Sequence, residues 1–508
     1  MVIAGRDAET VGVSAPAVGY QAVEFGITIR VLPWAVIVIR FSTHQQIARP
    51  KLLRGAENAP PIAQRAANYA FGANGVIVSQ PVIGSSVFSE NNAKFLPAPR
   101  AGLAWSPFHS KKTVIRAGGG LFYALNDALD YRLDQVAPFN TVYADKNIAF
   151  SAISPAATYA AAKVVPSGVQ PNLYTPAVES YTLTVEQYLT PRTTLSVGYI
   201  GSRAYHEILS VDSNVPFPTI CPAPACPAGY PAGAWYDPST AVLANKAVSN
   251  TTHWFSEGVS SYNAFEVDVN RHFSHGLQFR GVYTYAKALD NGDSLNTSVA
   301  TNSPAFVSNP LRPGWDYGRG SFDVRHSAVI NATYDLPFAK MFPGSRTADR
   351  VAGGWQLSGI ETLQSGLPFT PQLSYNPAND GDSRNPVRPS WNPAFTGAVI
   401  EGGPHQYFNP AAFIQPLAGT YGNAGRNVLA GPGLATSDLS LAKRFELSER
   451  LSLQFRAEFF NAFNRTNFNT PNPVVFTAAT SGPSPTAGVI TSTASTSRQI
   501  QFALKFLF

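Results

Sequence analysis

The sequence predicts an all-β fold: a transmembrane antiparallel outer-membrane β-barrel, as a partial or half barrel of about 11–12 strands with long extracellular loops. Charged residues make up only 13% of the 508 residues and aromatic residues 12%, whereas soluble domains average about 25% charged residues. The mean hydropathy is nevertheless near neutral, at −0.05, which excludes a bundle of apolar membrane-spanning helices. Segments of about ten residues alternate apolar and polar side chains along most of the chain.

The N-terminal part of the chain lacks this pattern. Residues 1–95 show no steady period, and we expect an irregular segment there with no recognisable plug. The first residues lack the basic and apolar regions of a signal peptide. The apolar stretch 26–41 is interrupted by Arg30, Pro33 and Arg40, which disfavours a spanning helix. The alternation becomes regular near residue 99, so residues 96–508 are assigned to the barrel.

The predicted strands are the segments in which the side-chain polarity alternates between turn residues. The clearest hairpin pairs 439–446 with 451–459 through a turn at 447–450. The complete set lies at 100–106, 112–123, 181–186, 195–199, 265–270, 277–285, 324–334, 355–364, 439–446, 451–459 and 499–508.

The connections between these strands alternate in length, as in an outer-membrane barrel. The short ones fall near 107–111, 190–192, 274–275, 337–353 and 447–450. The long ones fall near 124–177, 205–260, 289–321, 367–435 and 464–496. Because single-chain bacterial barrels have an even number of strands, we expect a further strand before Pro99 or a missing part of the barrel. A soluble β-sandwich or propeller would need evenly short loops.

Charged side chains recur on one side of the predicted strands. In lipid each would cost on the order of 2–4 kcal/mol, so they require a wet or protein-filled interior. The candidate lumen-facing residues are Glu266, Asp268, Arg280, Arg444, Arg456 and Glu458.

The last strand ends the sequence on an aromatic residue. Phe502, Leu504, Phe506 and Phe508 share one face of it. This arrangement is similar to the signal that the outer-membrane assembly machinery binds. We therefore expect that machinery and outer-membrane lipids as partners, and the cell outer membrane as the location.

The two cysteines, Cys221 and Cys226, lie five positions apart in a predicted outer loop. A metal site needs more ligands than such a pair supplies, so a local disulfide is the favoured interpretation. It would indicate an oxidising compartment. The net charge of +6 comes from scattered residues rather than from a basic run, so no nucleic-acid partner is expected.

No motif for catalysis or for a cofactor stands out. The chain has no His-Glu-x-x-His sequence, phosphate-binding loop or nucleophile elbow, so no catalytic, cofactor-binding or metal-binding residue is assigned. His272 and His275 flank a predicted tight turn without a third ligand. The polar segment 379–385 lacks the bidentate Glu of a calcium loop, and an ordinary turn is favoured there. Glycines 118–120 are interpreted as strand packing.

Several segments, in their order and spacing, resemble the TonB-dependent receptors and transporters with an Oar-like β-barrel of acidobacterial type. They are Ala98–Trp105, Ile115–Tyr123, Val197–Arg203, Ser261–Val267, Phe322–His326, Gly354–Gly359, Gly422–Asn427, Gly431–Gly433 and Leu453–Asn464. The resemblance covers the C-terminal barrel portion of that family.

The resemblance implies ligand uptake across the outer membrane by a receptor that is not an enzyme. Members of the family carry a plug and a TonB-contacting segment before a barrel of about 22 strands. Residues 1–95 resemble neither, so we expect a truncated C-terminal part lacking the plug. The TonB complex would be a partner only if a plug and a TonB-contacting segment lie upstream. The alternative is a plugless, surface-displayed barrel with a structural or adhesive role, and the ligand cannot be inferred.

Overall fold

A computed structural model describes residues 20–32, 35–46, 66–72, 75–108, 111–124, 166–221, 226, 229–292, 306–338, 351–382, 387–448 and 451–508. Thirteen long strands follow one another as neighbours in a single sheet, and strands are numbered here in chain order. They are β1 (Tyr20–Leu32), β2 (Ala35–Gln46), β5 (Leu96–Trp105), β6 (Thr113–Tyr123), β8 (Ala177–Thr190), β9 (Thr193–Val211), β12 (Thr252–Ser274), β13 (Leu277–Asp290), β15 (His326–Asp335), β16 (Trp355–Gln364), β22 (Leu434–Ser448), β23 (Leu451–Phe460) and β25 (Gln499–Leu507).

Short strands and two single-turn 3₁₀ helices, Pro313–Asp316 and Pro410–Ala412, lie mainly in the long connections. The short strands are β3 (Ala66–Asn68), β4 (Val82–Gly84), β7 (Ser167–Val169), β10 (Thr219–Ile220), β11 (Trp235–Tyr236), β14 (Gly318–Arg319), β17 (Pro368–Phe369), β18 (Gln372–Leu373), β19 (Ser390–Trp391), β20 (Phe413–Ile414), β21 (Leu429–Ala430) and β24 (Val474–Phe476). No helix in the described ranges has the length and apolar character needed to span a membrane.

All eleven predicted segments form strands of the main sheet, each antiparallel to its neighbours, so the all-β prediction is confirmed. The turn between β12 and β13 shows how local backbone conformation joins two antiparallel strands. His275 and Gly276 both adopt positive φ, at 54° and 80°, and this conformation lets a tight turn follow the twist of the flanking strands. The predicted hairpin of β22 and β23 has Leu439 opposite Phe459 and Phe445 opposite Leu453.

Residues 1–95 show no steady period in sequence, yet two long strands lie within residues 20–46. β1 and β2 form a hairpin, and β2 pairs with β5. The apolar stretch 26–41 is thus divided between two paired strands, Tyr20–Leu32 and Ala35–Gln46. The sheet therefore has thirteen long strands rather than the expected 11–12. Within the described residues β1 and β25 are each paired on one side only, so the sheet does not close on itself.

β9 and β12 extend well beyond the predicted segments and shorten the expected loop 205–260. They have 19 and 23 residues, whereas crossing a bilayer takes about 9–11. Their pairing continues to His253 opposite Val211, past a register shift between Phe255 and Gly258. Alternation over the central residues could not indicate this extension, because a bulge interrupts the period-two pattern.

The two faces of the sheet differ in chemistry. On β25 the side chains of Phe502 and Leu504 are 67% and 60% exposed, and the same face carries Phe455 on β23 and Leu183 on β8 by register. Such exposure of large apolar side chains along many strands requires an apolar solvent. We call this side of the sheet the apolar face and the opposite side the polar face.

The long connections pack together at one end of the sheet. We call their described parts the loop cap: residues 66–95, 166–176, 212–251, 306–325, 365–433 and 461–498, within the limits given above. Their largest hydrophobic cluster includes the fully buried Phe408 together with Phe369, Phe413 and Val475. The cap is therefore a folded element with its own core rather than a set of independent loops.

Candidate functional site

The polar face carries ion pairs between neighbouring strands. Arg280 on β13 contacts Asp268 on β12 with both Nε and Nη2, at 3.0 and 2.7 Å from Oδ2. This two-point contact fits the planar guanidinium and orients it along the face. Two residues before Asp268 on β12, Glu266 accepts a hydrogen bond from the Thr284 hydroxyl of β13 at 3.4 Å. The predicted lumen-facing residues of this hairpin thus share one face and bind each other.

The C-terminal hairpin carries its ion pairs within single strands rather than between neighbouring strands. Arg456 contacts Glu458 at 2.6 Å and Arg444 contacts Glu446 at 3.0 Å. Register from β13 through β15, β16, β22 and β23 places all six predicted lumen-facing side chains on the polar face. These pairs are solvent-exposed, so each contributes about 0.2–1 kcal/mol to stability. Their larger effect is to keep a charged wall hydrated.

A cavity of about 350 Å³ lies against the polar face. Its lining combines hydroxyl and amide groups, among them Asn331, Thr333 and Ser358, with the charged Arg456 and Glu458. Such a lining can donate and accept hydrogen bonds and suits a polar solute.

The two cysteines form a disulfide bond in the connection between β9 and β12. Cys221 is disulfide-bonded to Cys226, and their Cα atoms are 5.3 Å apart. The backbone of Cys221 also donates to Ala234 and accepts from Gly233, next to the β10–β11 pair. The bond therefore constrains one edge of the loop cap.

The residues predicted as the assembly signal lie on β25, the last strand at one edge of the sheet, and at the residue that follows it. Phe502 stacks on Phe455 of β23 with the ring centroids 6.1 Å apart. Phe506 and Phe508 are 56% and 102% exposed. The described geometry leaves this face open to lipid or to another protein, and the assembly role stays a prediction.

One buried ion pair joins the loop cap to the end of β13 and a second joins two segments of the cap, and the sequence pattern assigns neither a role. Arg426, 1% exposed in its side chain, contacts Asp290 at the end of β13 at 2.5 Å and donates to the Asp316 carbonyl at 2.7 Å. Arg388 contacts the Asp316 carboxylate at 2.7 Å. A Cβ on Gly422 would overlap the carbonyl oxygen of Arg388, so glycine is required there. The family-like segment Gly422–Asn427 is thus a structural brace.

A second brace is centred on Asp323. Its fully buried carboxylate binds Arg319 at 2.8 Å and Arg325 at 3.1 Å. It also accepts from the backbone N–H of Ala288 at 2.7 Å. The predicted strand 324–334 begins two residues later, at His326, because this contact draws the preceding segment out of the ladder.

Carboxylates are concentrated in one part of the cap. Asp380 accepts a hydrogen bond from Tyr421 at 3.0 Å, and Asp212 accepts from Thr251, Asn214 and Asn250. Burial, together with the nearby Asp380 carboxylate, raises the pKa of Asp237 to about 6. Burial is also the main cause of the raised pKa of Asp212.

These carboxylates include part of the polar segment 379–385, of which residues 383–385 lie outside the described ranges. Among the described residues no group of three His, Cys, Asp or Glu side chains is placed to hold a metal ion. At the β12–β13 turn, His275 Nδ1 lies 2.9 Å from the Ser274 hydroxyl. This contact is local to the turn and involves no further strand.

The sequence profile of one protein family, described as "Outer membrane beta barrel domain", matches residues 56–501. No curated protein matches the chain.

Solved outer-membrane structures are similar to the chain at low identity. The outer membrane transporter YddB from Escherichia coli is 11% identical with a TM-score of 0.44, covering 96% of this chain and 53% of its own. The ferric enterobactin receptor PfeA from Pseudomonas aeruginosa, in a mutant form, gives the same identity and TM-score, with 96% and 44% covered. The Ferric-Catecholate import receptor Fiu from E. coli is 11% identical with a TM-score of 0.40, with 96% and 44% covered. The chain spans about half the length of these proteins.

Proposed function

The chain belongs to the outer membrane beta barrel domain family, and we propose that it forms the barrel wall and outer loops of a TonB-dependent-receptor-like transporter. Its place is the cell outer membrane, and it is not an enzyme. The proposed role is uptake of a ligand across that membrane. The finer assignment, an Oar-like barrel of the acidobacterial type, rests on the order of the motifs in the sequence.

One observation carries the proposal: a continuous polar face runs from strand to strand beneath a folded loop cap. The opposite face suits lipid, so a closed barrel containing this wall would enclose a hydrated interior. The polar face carries a hydrogen-bonding cavity and ion pairs. A solute that passes through the barrel could contact these groups. A barrel with only a structural role needs no such cavity.

The braces support a receptor rather than an open pore. Arg426 fixes the cap to the end of β13 through a buried pair, and Arg388 joins two segments of the cap through its pair with Asp316. The loops can therefore present a defined surface at the barrel mouth. Under this proposal the TonB complex acts through a plug and a TonB-contacting segment, which this wall would surround.

Uptake can be tested although the ligand is unidentified. Cells with and without the gene are grown in the same medium, and their periplasmic contents are compared by untargeted mass spectrometry. We expect at least one medium component to accumulate only in cells that carry the gene, and a protonophore to abolish this accumulation. Identical periplasmic contents in both strains would refute uptake and favour the surface-displayed barrel with a structural or adhesive role.

A further inference from the structure

The loop cap contains a cavity of about 400 Å³ that is separate from the polar-face cavity. Five parts of the chain meet around it: Phe71 with residues 75–76, residues within 211–217, Ala244, residues 255 and 257, and residues within 310–313. The cavity volume lies within the range of small-molecule sites, about 300–1,000 Å³. These stretches are far apart in sequence, so the cavity exists only in the folded cap.

The walls of this cavity are mainly apolar. Phe71 and Phe255 pack against each other with ring centroids 5.7 Å apart, and the buried Val211 and Val215 continue the wall. At the rim Phe217 is 51% exposed. An apolar ligand surface would cover these groups and remove them from water.

The charged groups that line the cavity are both acidic: Asp212 and Glu257. Asp212 is held by the Thr251 and Asn214 backbone N–H groups, at 2.8 and 2.9 Å from Oδ1. The exposed Glu257 carboxylate makes no hydrogen bond or ion pair with the described part of the chain. Within the described part of the chain, no Lys, Arg or His lines the cavity.

We propose that this cavity binds an organic cation, a molecule with an apolar aromatic or branched body and an ammonium group that pairs with Glu257. A carboxylate ligand would be repelled by the two acids. A neutral apolar ligand would leave Glu257 without a partner. The aromatic rings add attraction for a cation placed over their faces. The inference deepens the proposed function by naming a ligand class, and it rests on that function only for the later uptake.

Binding is measured by calorimetry on the whole chain in detergent micelles, with three probes: 2-phenylethylammonium, 2-phenylethanol and 3-phenylpropionate. We expect the ammonium ion to bind, and the neutral and anionic probes to bind at least about tenfold more weakly, because only the ammonium ion carries a positive charge that forms an ion pair with the carboxylate. Equal binding of the ammonium ion and the alcohol, or no binding of the ammonium ion, would overturn the proposal.

The matched variants are Glu257→Gln and Glu90→Gln. Glu90 is an exposed acid of the same cap that does not line the cavity. We expect Glu257→Gln to weaken 2-phenylethylammonium binding about tenfold and to leave 2-phenylethanol unaffected, and Glu90→Gln to change neither. An unchanged affinity in Glu257→Gln would overturn the proposed pairing.

The rim variant Leu311→Ala provides a test of the apolar wall that does not depend on charge. Leu311 is 46% exposed, so its truncation leaves the packing of the cap intact, and we expect both the ammonium ion and the alcohol to bind about threefold more weakly. Unchanged binding of both would place the ligand elsewhere. All these readouts concern the isolated protein, so uptake in cells can fail while the site holds, and the site can fail while uptake holds.

Discussion

Replacing Arg426 with leucine should release the loop cap from the strand ends. The guanidinium contacts Asp290 at 2.5 Å, with side-chain exposures of 1% and 6%. It also donates to the Asp316 carbonyl at 2.7 Å. Leucine fills part of the space but leaves the buried Asp290 carboxylate without this cation and Asp316 without this donor.

The expected loss of stability follows from the burial of the Arg426 and Asp290 side chains. Removing one partner of a buried ion pair costs about 3–5 kcal/mol, because the other charge stays in a poorly solvated site. The contact lies at the end of β13, where the cap meets the main sheet, so the cost falls on local opening of the cap. The open population should rise by roughly 10²- to 4 × 10³-fold, since every 1.4 kcal/mol is a factor of about ten.

The assay is limited proteolysis of the folded protein in detergent micelles with thermolysin. When opening and closing are fast, the cleavage rate follows the population of the open form. The control is Arg456→Gln, which breaks a pair of the polar face that is 44% and 22% exposed. An exposed pair contributes about 0.2–1 kcal/mol, so the control should change the rate less than about fivefold.

A double variant, Arg426→Leu with Asp290→Asn, tests the cause. Neutralising the Asp290 carboxylate should restore much of the lost resistance to thermolysin, because it removes the uncompensated charge. Cleavage of Arg426→Leu at the rate of the Arg456→Gln control would refute the reasoning. So would a double variant that is cleaved as fast as the single one.

Three further predictions concern other parts of the chain. Deleting Phe508, or replacing it with glutamate, should reduce heat-modifiable barrel in outer-membrane fractions, and an unchanged amount would contradict the assembly role of the last strand. Replacing Cys221 and Cys226 with serine should lower the free energy of cap opening by about 2 kcal/mol because the closed loop is short, with the reduced wild-type protein as control; equal proteolysis of oxidised and reduced protein would contradict this. Asp237 has a folded pKa of about 6 against an ordinary 3.8, so its protonated form favours folding, and stability should fall as the pH rises from about 4 to above 6. Asp237→Asn should stabilise the cap at pH 7.5 and reduce this pH dependence, and a wild-type cap more stable at pH 7.5 than at pH 5 would show the sign to be wrong.

Much of the main sheet could be predicted from local pattern. Side chains alternate across a strand with a period of two, so hairpins such as β22–β23 can be identified without the tertiary structure. The hairpin of β1 and β2 does not emerge as clearly: β1 alternates over residues 24–31, but β2 begins with an unbroken apolar run over residues 35–39. In sequence Pro33 interrupts an apolar stretch, and only the strand pairing shows that the residues on its two sides belong to one hairpin.

The loop cap was the part least accessible from sequence. Its segments are rich in proline, glycine and small polar residues, which indicate turns but not which turns meet. The braces of Arg426 with Asp290 and of Arg388 with Asp316 join residues 136 and 72 positions apart. The family-like segment Gly422–Asn427 was the available signal, but its residues could not be assigned partners.

The sequence by itself determined the strand segments, their alternating faces and the outer-membrane class, because each of these depends on neighbouring residues and on the solvent they prefer. Only the tertiary structure decided which loops pack on one another, where the buried charges find partners and where cavities lie. Such contacts join residues distant along the chain, and their energies depend on burial and distance, which no local pattern encodes.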